Sequence, residues 1–104
     1  MSEIDKLEKY LKEKGINYDR KKSIVSVRDG EQIIVYNNGE RIIVYDKNGI
    51  REWVAIFDFT SYGYEEGLLE LRGTIVRHGY IFEGWLTAEN IIKRLEETDN
   101  HRNR

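Results

Sequence analysis

The sequence predicts an α+β domain: an N-terminal helix, a five- to six-stranded antiparallel β-meander and a C-terminal helix. Apolar residues recur at helical spacing near both ends of the chain. Between them lie short runs rich in Ile, Val, Tyr, Phe and Trp, separated by Asp-Gly or Asn-Gly pairs. The 104 residues suit one hydrophobic core. We therefore assign residues 1–98 to a single domain and residues 99–104 to a flexible polar tail.

The first helix is predicted to begin after Ser2 and to end just before Gly15. Ser2 can accept a hydrogen bond from the backbone of Asp5, which approximates a capping box. Gly15 suits the left-handed position that terminates a helix, and Ile16 can then contact Leu11. The apolar stripe of this helix consists of Ile4, Leu7 and Leu11.

Three pairs predict turns in the meander: Asp29-Gly30, Asn38-Gly39 and Asn48-Gly49. Residues 33–36 and residues 42–45 both read Ile-Ile-Val-Tyr. With Asn38-Gly39 as a two-residue turn, these runs become the two arms of one hairpin, and both arms are apolar on both faces. We therefore expect the helices to cover one or both faces of the sheet.

The second half of the meander is predicted to contain a central strand and two shorter strands. Aromatic residues alternate along residues 53–59, which indicates a long central strand. A loop over residues 60–67 precedes candidate strands at residues 68–76 and 80–84. Thr87 is a plausible N-cap, and an apolar contact between Leu86 and Ile91 would fix the start of the second helix.

Composition and charge exclude several classes of function. The chain contains no cysteine, which excludes disulfides, thiolate metal sites and cysteine nucleophiles and fits a reducing compartment such as the cytoplasm. No signal peptide or membrane-spanning run is visible, so we predict no membrane partner. Residues 1–30 carry eight basic and six acidic side chains, whereas residues 31–76 carry four basic and eight acidic ones. This distribution lacks the concentrated basic face of duplex-DNA binders.

The best candidate site is the glycine-flanked loop at residues 61–67. Its proposed binding residues are Tyr62, Tyr64, Glu65 and Glu66. Loops carry binding residues more often than core strands do, and tyrosine is a favoured interface anchor. In the alternative interpretation, the two tyrosines cover the open end of the sheet and the two glutamates are only solvated.

No catalytic constellation or metal site is predicted. The carboxylates of Asp58, Glu65, Glu66 and Glu70 do not form a matched acid and base pair, because no nucleophile, base and orienting group can be named around them. The two histidines, His78 and His101, are 23 residues apart, which does not match the clustered ligands of a zinc site. We therefore expect a non-enzymatic protein without catalytic residues, metal or cofactor.

Nucleic-acid binding is an alternative function that uses other residues. Arg20, Lys21 and Lys22 lie between the predicted helix and sheet and could contact phosphate, while Tyr36 and Tyr45 could stack on the bases of a single strand. Acidic residues in the same hairpin oppose this reading, because they would repel a phosphate backbone. They are Glu40, Asp46 and Glu52.

The C-terminal half resembles a type of small uncharacterised protein found in phages and prophages of Gram-positive bacteria. The resemblance rests on Trp53-Val54-Ala55-Ile56, on the ten residues from Ser61 to Glu70, and on the ten residues from Glu83 to Ile92. It implies a mobile-element accessory protein and no known activity. We therefore predict a protein-binding accessory module, with nucleotide or small-ligand binding under the Tyr62 loop as a further alternative. A homodimer is left open, because a long strand edge with Ile and Val invites pairing.

Overall fold

One antiparallel sheet carries both helices of the protein. The computed structural model describes the backbone of residues 1–102 and the side chains of residues 1–98. Its elements are α1 (Glu3–Glu13), β1 (Tyr18–Asp29), β2 (Gln32–Tyr45), β3 (Arg51–Phe57), β4 (Leu69–Gly73), β5 (Phe82–Leu86) and α2 (Ala88–Arg102). The strands are hydrogen-bonded in the order β1-β2-β3-β4-β5. The predicted α+β fold is therefore confirmed, with β3 as the central strand.

The predicted ends of α1 are confirmed by its backbone contacts. The Ser2 hydroxyl accepts a hydrogen bond from the Asp5 amide at 3.2 Å, and the Asp5 carboxylate accepts one from the Ser2 amide at 3.3 Å. Gly15 has a φ of +66°, and the Ile16 amide donates to the Leu11 carbonyl at 3.0 Å. These contacts pair backbone groups that the helix ends would otherwise leave open.

The start of α2 also agrees with its predicted N-cap. The Thr87 hydroxyl accepts a hydrogen bond from the Asn90 amide at 3.1 Å, and the Asn90 side chain accepts one from the Thr87 amide at 2.9 Å. The predicted flexible tail at residues 99–104 overlaps the last turn of α2, but residues 103 and 104 and all side chains after Thr98 lie outside the described residues. No helix within the described residues is long and apolar enough to cross a membrane.

Both helices pack on the same face of the sheet. Ile4, Leu7 and Leu11 of α1 and Ala88 and Ile91 of α2 share one buried cluster with Ile42, Val44, Trp53, Ala55, Leu69, Leu71 and Ile75. Successive strand residues point to opposite faces, so Ile43 and Val54 lie on the other face. They are buried as well, with 9% and 4% of their surface exposed. Strands with apolar residues on both faces therefore did not require helices on both faces of the sheet.

The predicted turn at Asn38-Gly39 is wrong. β2 runs without interruption through both Ile-Ile-Val-Tyr segments, and residues 33–36 pair with β1 instead of with residues 42–45. Gly39 is buried, and a Cβ atom at this position would lie only 2.5 Å from the Cβ of Asp58. Gly39 therefore allows close approach of two strands and does not form a turn. With these two segments merged, the sheet has five strands, within the predicted range of five to six.

β1 begins at Tyr18, earlier than the predicted start at residue 23, so Arg20, Lys21 and Lys22 lie on a strand and not in a turn. β3 pairs with β2 only at residues 40–45. Residues 24–36 consequently form a two-stranded extension of the sheet, which we call the arm. The arm contributes to a molecule measuring 56 × 28 × 27 Å.

Candidate functional site

The Tyr62 loop, residues 58–68, connects β3 to β4. A short 3₁₀ helix, Tyr64–Glu66, is bounded by Gly63 with a φ of +101° and Gly67 with a φ of +74°. Glycine enters this left-handed region without the steric penalty of a side chain. The two glutamates of the glycine-flanked loop therefore lie between two glycines in the left-handed conformation.

Asp58 fixes the start of the loop. Its buried carboxylate accepts hydrogen bonds from the Ser23 hydroxyl at 2.6 Å and from the amide and hydroxyl of Thr60 at 2.9 and 2.8 Å. The Ser61 hydroxyl accepts from the Asp58 amide at 2.9 Å, and Arg41 donates to Ser23 at 3.0 Å. Burial opposes ionisation, but the bonds from Ser23 and Thr60 outweigh it and lower the pKa of Asp58. Asp58 therefore has a structural role in tying the loop to β1.

The Glu70 side chain, on β4, holds the middle of the Tyr62 loop in place. It is almost fully buried and accepts a hydrogen bond from the Tyr62 amide at 3.0 Å. Its other oxygen accepts one from Nε of Arg72 at 2.6 Å. Because both carboxylate oxygens are engaged, Glu70 positions the Tyr62 backbone.

Tyr62 belongs to an exposed aromatic group with two residues of β5. Its ring stacks on Phe82, with centroids 4.9 Å apart and planes at 14°, and contacts Trp85 at 5.3 Å. Trp85 has a φ of +54°, an uncommon backbone conformation for a bulky side chain. Its amide donates to the Tyr62 carbonyl at 3.2 Å. A Cβ atom on Gly84 would lie 2.5 Å from the Tyr62 Cβ, so the glycine makes room for the tyrosine.

Tyr64 belongs to a second aromatic group on the other side of the loop. Its ring lies 4.8 Å from Phe57 and meets Phe59 edge-on at 6.5 Å. The Tyr64 hydroxyl accepts a hydrogen bond from the Asn38 side chain at 3.1 Å. Phe59 in turn stacks on Tyr36, with centroids 4.1 Å apart and planes at 2°. Tyr62 and Tyr64 are therefore both held by ring contacts.

A hollow of about 200 Å³ lies between these two aromatic groups. We call it the aromatic hollow, and its lining residues are Phe59, Ser61, Tyr62, Gly63, Tyr64, Glu65, Glu66 and Trp85. The structure thus brings all four predicted binding residues to one place. Tyr62 and Trp85 remain 47% and 54% exposed. Within the described residues, Glu65 and Glu66 are exposed and form no ion pair.

Sequence reasoning missed Phe59 and Trp85 as lining residues. Phe59 follows the alternating aromatic positions of the central strand but lies beyond its end, where it is 45% exposed. Trp85 immediately precedes Leu86, which faces the core cluster. A large aromatic residue at a position that alternation assigns to the outer face is a signal that could have marked Trp85 as exposed. Phe59 alternates with the core residues Trp53 and Ala55, so alternation assigns it to the inner face and gives no such signal.

The alternative phosphate-binding residues do not line the hollow. Three carboxylates form ion pairs with Arg20: Asp5 at 2.8 Å, Glu8 at 3.0 Å and Glu40 at 2.8 Å. Hydrogen bonds to Glu40 and the other two carboxylates raise the pKa of Arg20 despite its partial burial. Lys21 and Lys22 are exposed on β1. Phosphate could reach Arg20 only by displacing carboxylates.

The two tyrosines proposed to stack on bases are each engaged in a different contact. Tyr36 is stacked on Phe59 at the base of the arm, while the Tyr45 hydroxyl donates to Asp19 at 3.1 Å. Within the described part of the chain, no three His, Asp or Glu side chains are grouped to hold a metal ion. His78 is exposed in the loop between β4 and β5, and the His101 side chain lies outside the described residues.

Comparison with known proteins gives no relative from which a function could be transferred. No protein-family model, curated protein or solved structure matches this chain. The resemblance to phage and prophage proteins therefore stays a prediction. The function has to be inferred from the chemistry of the aromatic hollow.

Proposed function

We propose that the protein is a non-enzymatic binding module that receives a lysine or arginine side chain of a partner protein in the aromatic hollow. One observation carries this proposal: aromatic rings line the same hollow as Glu65 and Glu66, two carboxylates that have no ion-pair partner among the described residues. The faces of aromatic rings attract cations, and carboxylates accept charge-assisted hydrogen bonds from them. A cationic group can interact favourably with both the aromatic rings and the carboxylates of the hollow.

The size and rigidity of the hollow favour a side chain over a free small molecule. Small-molecule sites usually enclose about 300–1,000 Å³, whereas the aromatic hollow measures about 200 Å³. Its walls are already ordered, because Glu70 holds the Tyr62 backbone and Phe57 and Phe59 contact the Tyr64 ring. Binding would therefore order few additional groups, which lowers its entropic cost.

Charge supports a basic partner. The segment of residues 31–76, which contains the Tyr62 loop, has eight acidic and four basic side chains. An acidic surface attracts basic partners and repels phosphate. The nucleic-acid alternative relies instead on Arg20, whose guanidinium is already engaged by three carboxylates. The contacts therefore favour a protein ligand.

The biological setting belongs to the same proposal. The resemblance of the C-terminal half to phage and prophage proteins supports an accessory role on a mobile element. The lack of cysteine is compatible with action in the reducing cytoplasm. In such a setting the module would modulate a host or phage protein by holding one of its basic side chains.

An NMR titration tests this function. The capped tripeptide Gly-Lys-Gly, its arginine counterpart and a norleucine counterpart of similar shape but no charge are added to ¹⁵N-labelled protein. The chain has two tryptophans, so the exposed Trp85 indole signal reports on the hollow and the buried Trp53 signal serves as an internal reference. We expect the lysine and arginine peptides to shift the Trp85 signal with dissociation constants of about 1–10 mM, because a cation–π contact of about 2 kcal/mol and a charge-assisted hydrogen bond of about 1.5 kcal/mol together correspond to this range.

Matched variants separate the hollow from general surface charge. The double variant Glu65→Gln and Glu66→Gln should weaken peptide binding several-fold. The double variant Glu96→Gln and Glu97→Gln changes two adjacent exposed glutamates on α2 and should bind as the wild type does. An equal shift with norleucine, or no Trp85 shift at all, contradicts the proposal. A shift confined to Lys21 and Lys22 upon addition of an oligothymidine would support nucleic-acid binding instead.

A further inference from the structure

The arm is apolar on both of its faces. Residues directly opposite on paired strands share a face, as do alternate residues along a strand. One face therefore carries Val25, Val27, Ile34 and Tyr36. The other carries Ser26, Arg28, Ile33 and Val35. Residues 25–28 of β1 alternate between apolar and polar side chains, whereas residues 33–36 of β2 present apolar side chains to both faces, which is not expected of a ribbon that is solvated on one side.

The apolar side chains of the arm are largely exposed. Ile24, Ile33 and Val35 expose 66%, 64% and 55% of their surface. A two-stranded hairpin alone is at best marginally stable in water and usually requires a third strand or a packed helix. Both helices contribute to the core cluster, which contains no residue of the arm. β3 pairs with β2 only from residue 40 onward, so it does not extend along the arm. The arm thus resembles part of an incomplete sheet.

We propose that the arm pairs with the arm of a second copy of this chain, with the two β1 strands antiparallel along their outer edges. β1 is the first strand of the sheet, so its outer backbone groups have no strand partner in the part of the chain that the structure describes. Where the register with β2 shifts, β1 has one residue, Ile24, opposite two residues of β2, Asn37 and Asn38. The extra residue therefore lies on β2, and no extra residue interrupts the free edge of β1.

The two ends of the β1 edge have opposite net charges. Lys21 and Lys22 lie on β1 just before the arm; both are exposed and form no ion pair within the described residues. The tip carries Arg28, Asp29 and Glu31, with a net charge of −1 from one base and two acids. Pairing about a two-fold axis near residue 25 places Lys21 opposite Asp29 of the second copy and Lys22 opposite Arg28. The antiparallel arrangement is therefore favoured by the Lys21–Asp29 pair and by the opposite net charges of the two ends of the edge.

The middle of the edge favours a second copy over a charged partner. Residues 23–27 read Ser-Ile-Val-Ser-Val and carry no charge. No like charges therefore meet where the two-fold axis would pass, near residue 25. The resulting four-stranded ribbon would meet the minimum of three strands that a free-standing sheet requires. The contact is independent of the aromatic hollow and would leave that hollow accessible in each copy.

Analytical ultracentrifugation between about 1 and 200 µM tests the pairing, because specific edge contacts of modest area fall in the micromolar range. We expect the wild type to approach a dimer as concentration rises. Ile24→Glu should raise the dissociation constant at least about tenfold, since two glutamates would then meet near the axis. Ile50→Glu is the matched control: Ile50 is 64% exposed in the turn between β2 and β3 and should leave the dimer unchanged.

Three results would overturn the proposal: a wild type that is monomeric at every concentration, a dimer that persists in Ile24→Glu, or a dimer that Ile50→Glu also abolishes. Circular dichroism of each variant checks that it keeps the fold. Orientation is tested separately by a spin label on Glu31→Cys, in a chain that has no other cysteine. Antiparallel arms place the two tips about 30 Å apart at the rise of a β-strand. A distance below about 20 Å excludes the antiparallel arrangement.

Discussion

Replacing Asp58 with alanine should lower the free energy of unfolding by about 3–5 kcal/mol. The carboxylate is 4% exposed and accepts three hydrogen bonds, one from Ser23 and two from Thr60. A hydrogen bond to a charged group contributes about 1.5–3 kcal/mol, but Thr60 is exposed and its two bonds count for less. Ser23, which is 1% exposed, would lose its carboxylate acceptor in the interior. The sum of these effects gives the range above.

Urea unfolding followed by tryptophan fluorescence, to which the buried Trp53 contributes, measures this loss. Asp58→Asn is the informative control, because its side chain keeps one acceptor oxygen and should cost only about 1–3 kcal/mol. A loss below about 1 kcal/mol in Asp58→Ala would show that the hydrogen bonds of this cluster do not stabilise the junction of β1, β3 and the Tyr62 loop.

The lowered pKa of Asp58 also fixes the sign of a pH effect. Hydrogen bonds from Ser23 and Thr60 hold the folded-state pKa below the ordinary value of 3.8. The carboxylate therefore contributes its full stability above pH 3.8, and the contribution is lost as the pH falls through the folded-state pKa. Unfolding free energies measured from pH 6 to pH 2.5 should fall more steeply at the acid end in the wild type than in Asp58→Asn. Parallel curves would contradict the assignment.

Three further substitutions test other parts of the structure. Gly39→Ala should cost about 2 kcal/mol or more in urea unfolding, because its Cβ would lie 2.5 Å from Asp58; a loss below 0.5 kcal/mol, roughly the size of a neutral surface change, would refute the close approach. Gly84→Ala should displace the Tyr62 ring, since its Cβ would lie 2.5 Å from that of Tyr62, and should weaken lysine-peptide binding several-fold; unchanged binding would refute the packing. Ser2→Ala should cost about 1 kcal/mol in thermal or urea unfolding through loss of the α1 cap, and no change would show that the cap is dispensable.

Local chemistry explains which features of the fold could be predicted from the sequence. The caps at Ser2 and Thr87 depend on residues within three positions, and the left-handed Gly15 depends on the adjacent helix end. These signals need no knowledge of distant contacts. The turn prediction at Asn38-Gly39 was wrong because glycine occurs both in tight turns and where two strands pack closely. Only the contact between Gly39 and Asp58 distinguishes the two uses.

Part of the candidate site could also be predicted from local signals in the sequence. Gly63 and Gly67 identified a loop with left-handed backbone, and Tyr62 and Tyr64 lie on it. Trp85 could not be assigned to that loop, because it lies 23 residues after Tyr62 in sequence and reaches Tyr62 through the pairing of β4 with β5. Its positive φ is not a conformation that tryptophan favours, so no local rule predicts it.

The central claim is that Glu65 and Glu66 act together with the aromatic rings on a positive charge. The most direct measurement is the coupling between the carboxylates of the hollow and the positive charge of the peptide. It requires four affinities, those of the lysine peptide and of the norleucine peptide for the wild type and for the double variant Glu65→Gln and Glu66→Gln. The double substitution should weaken lysine-peptide binding by about 0.5–2 kcal/mol and leave norleucine-peptide binding unchanged. Equal changes for both peptides, or no change for either, would contradict a cation site in the aromatic hollow.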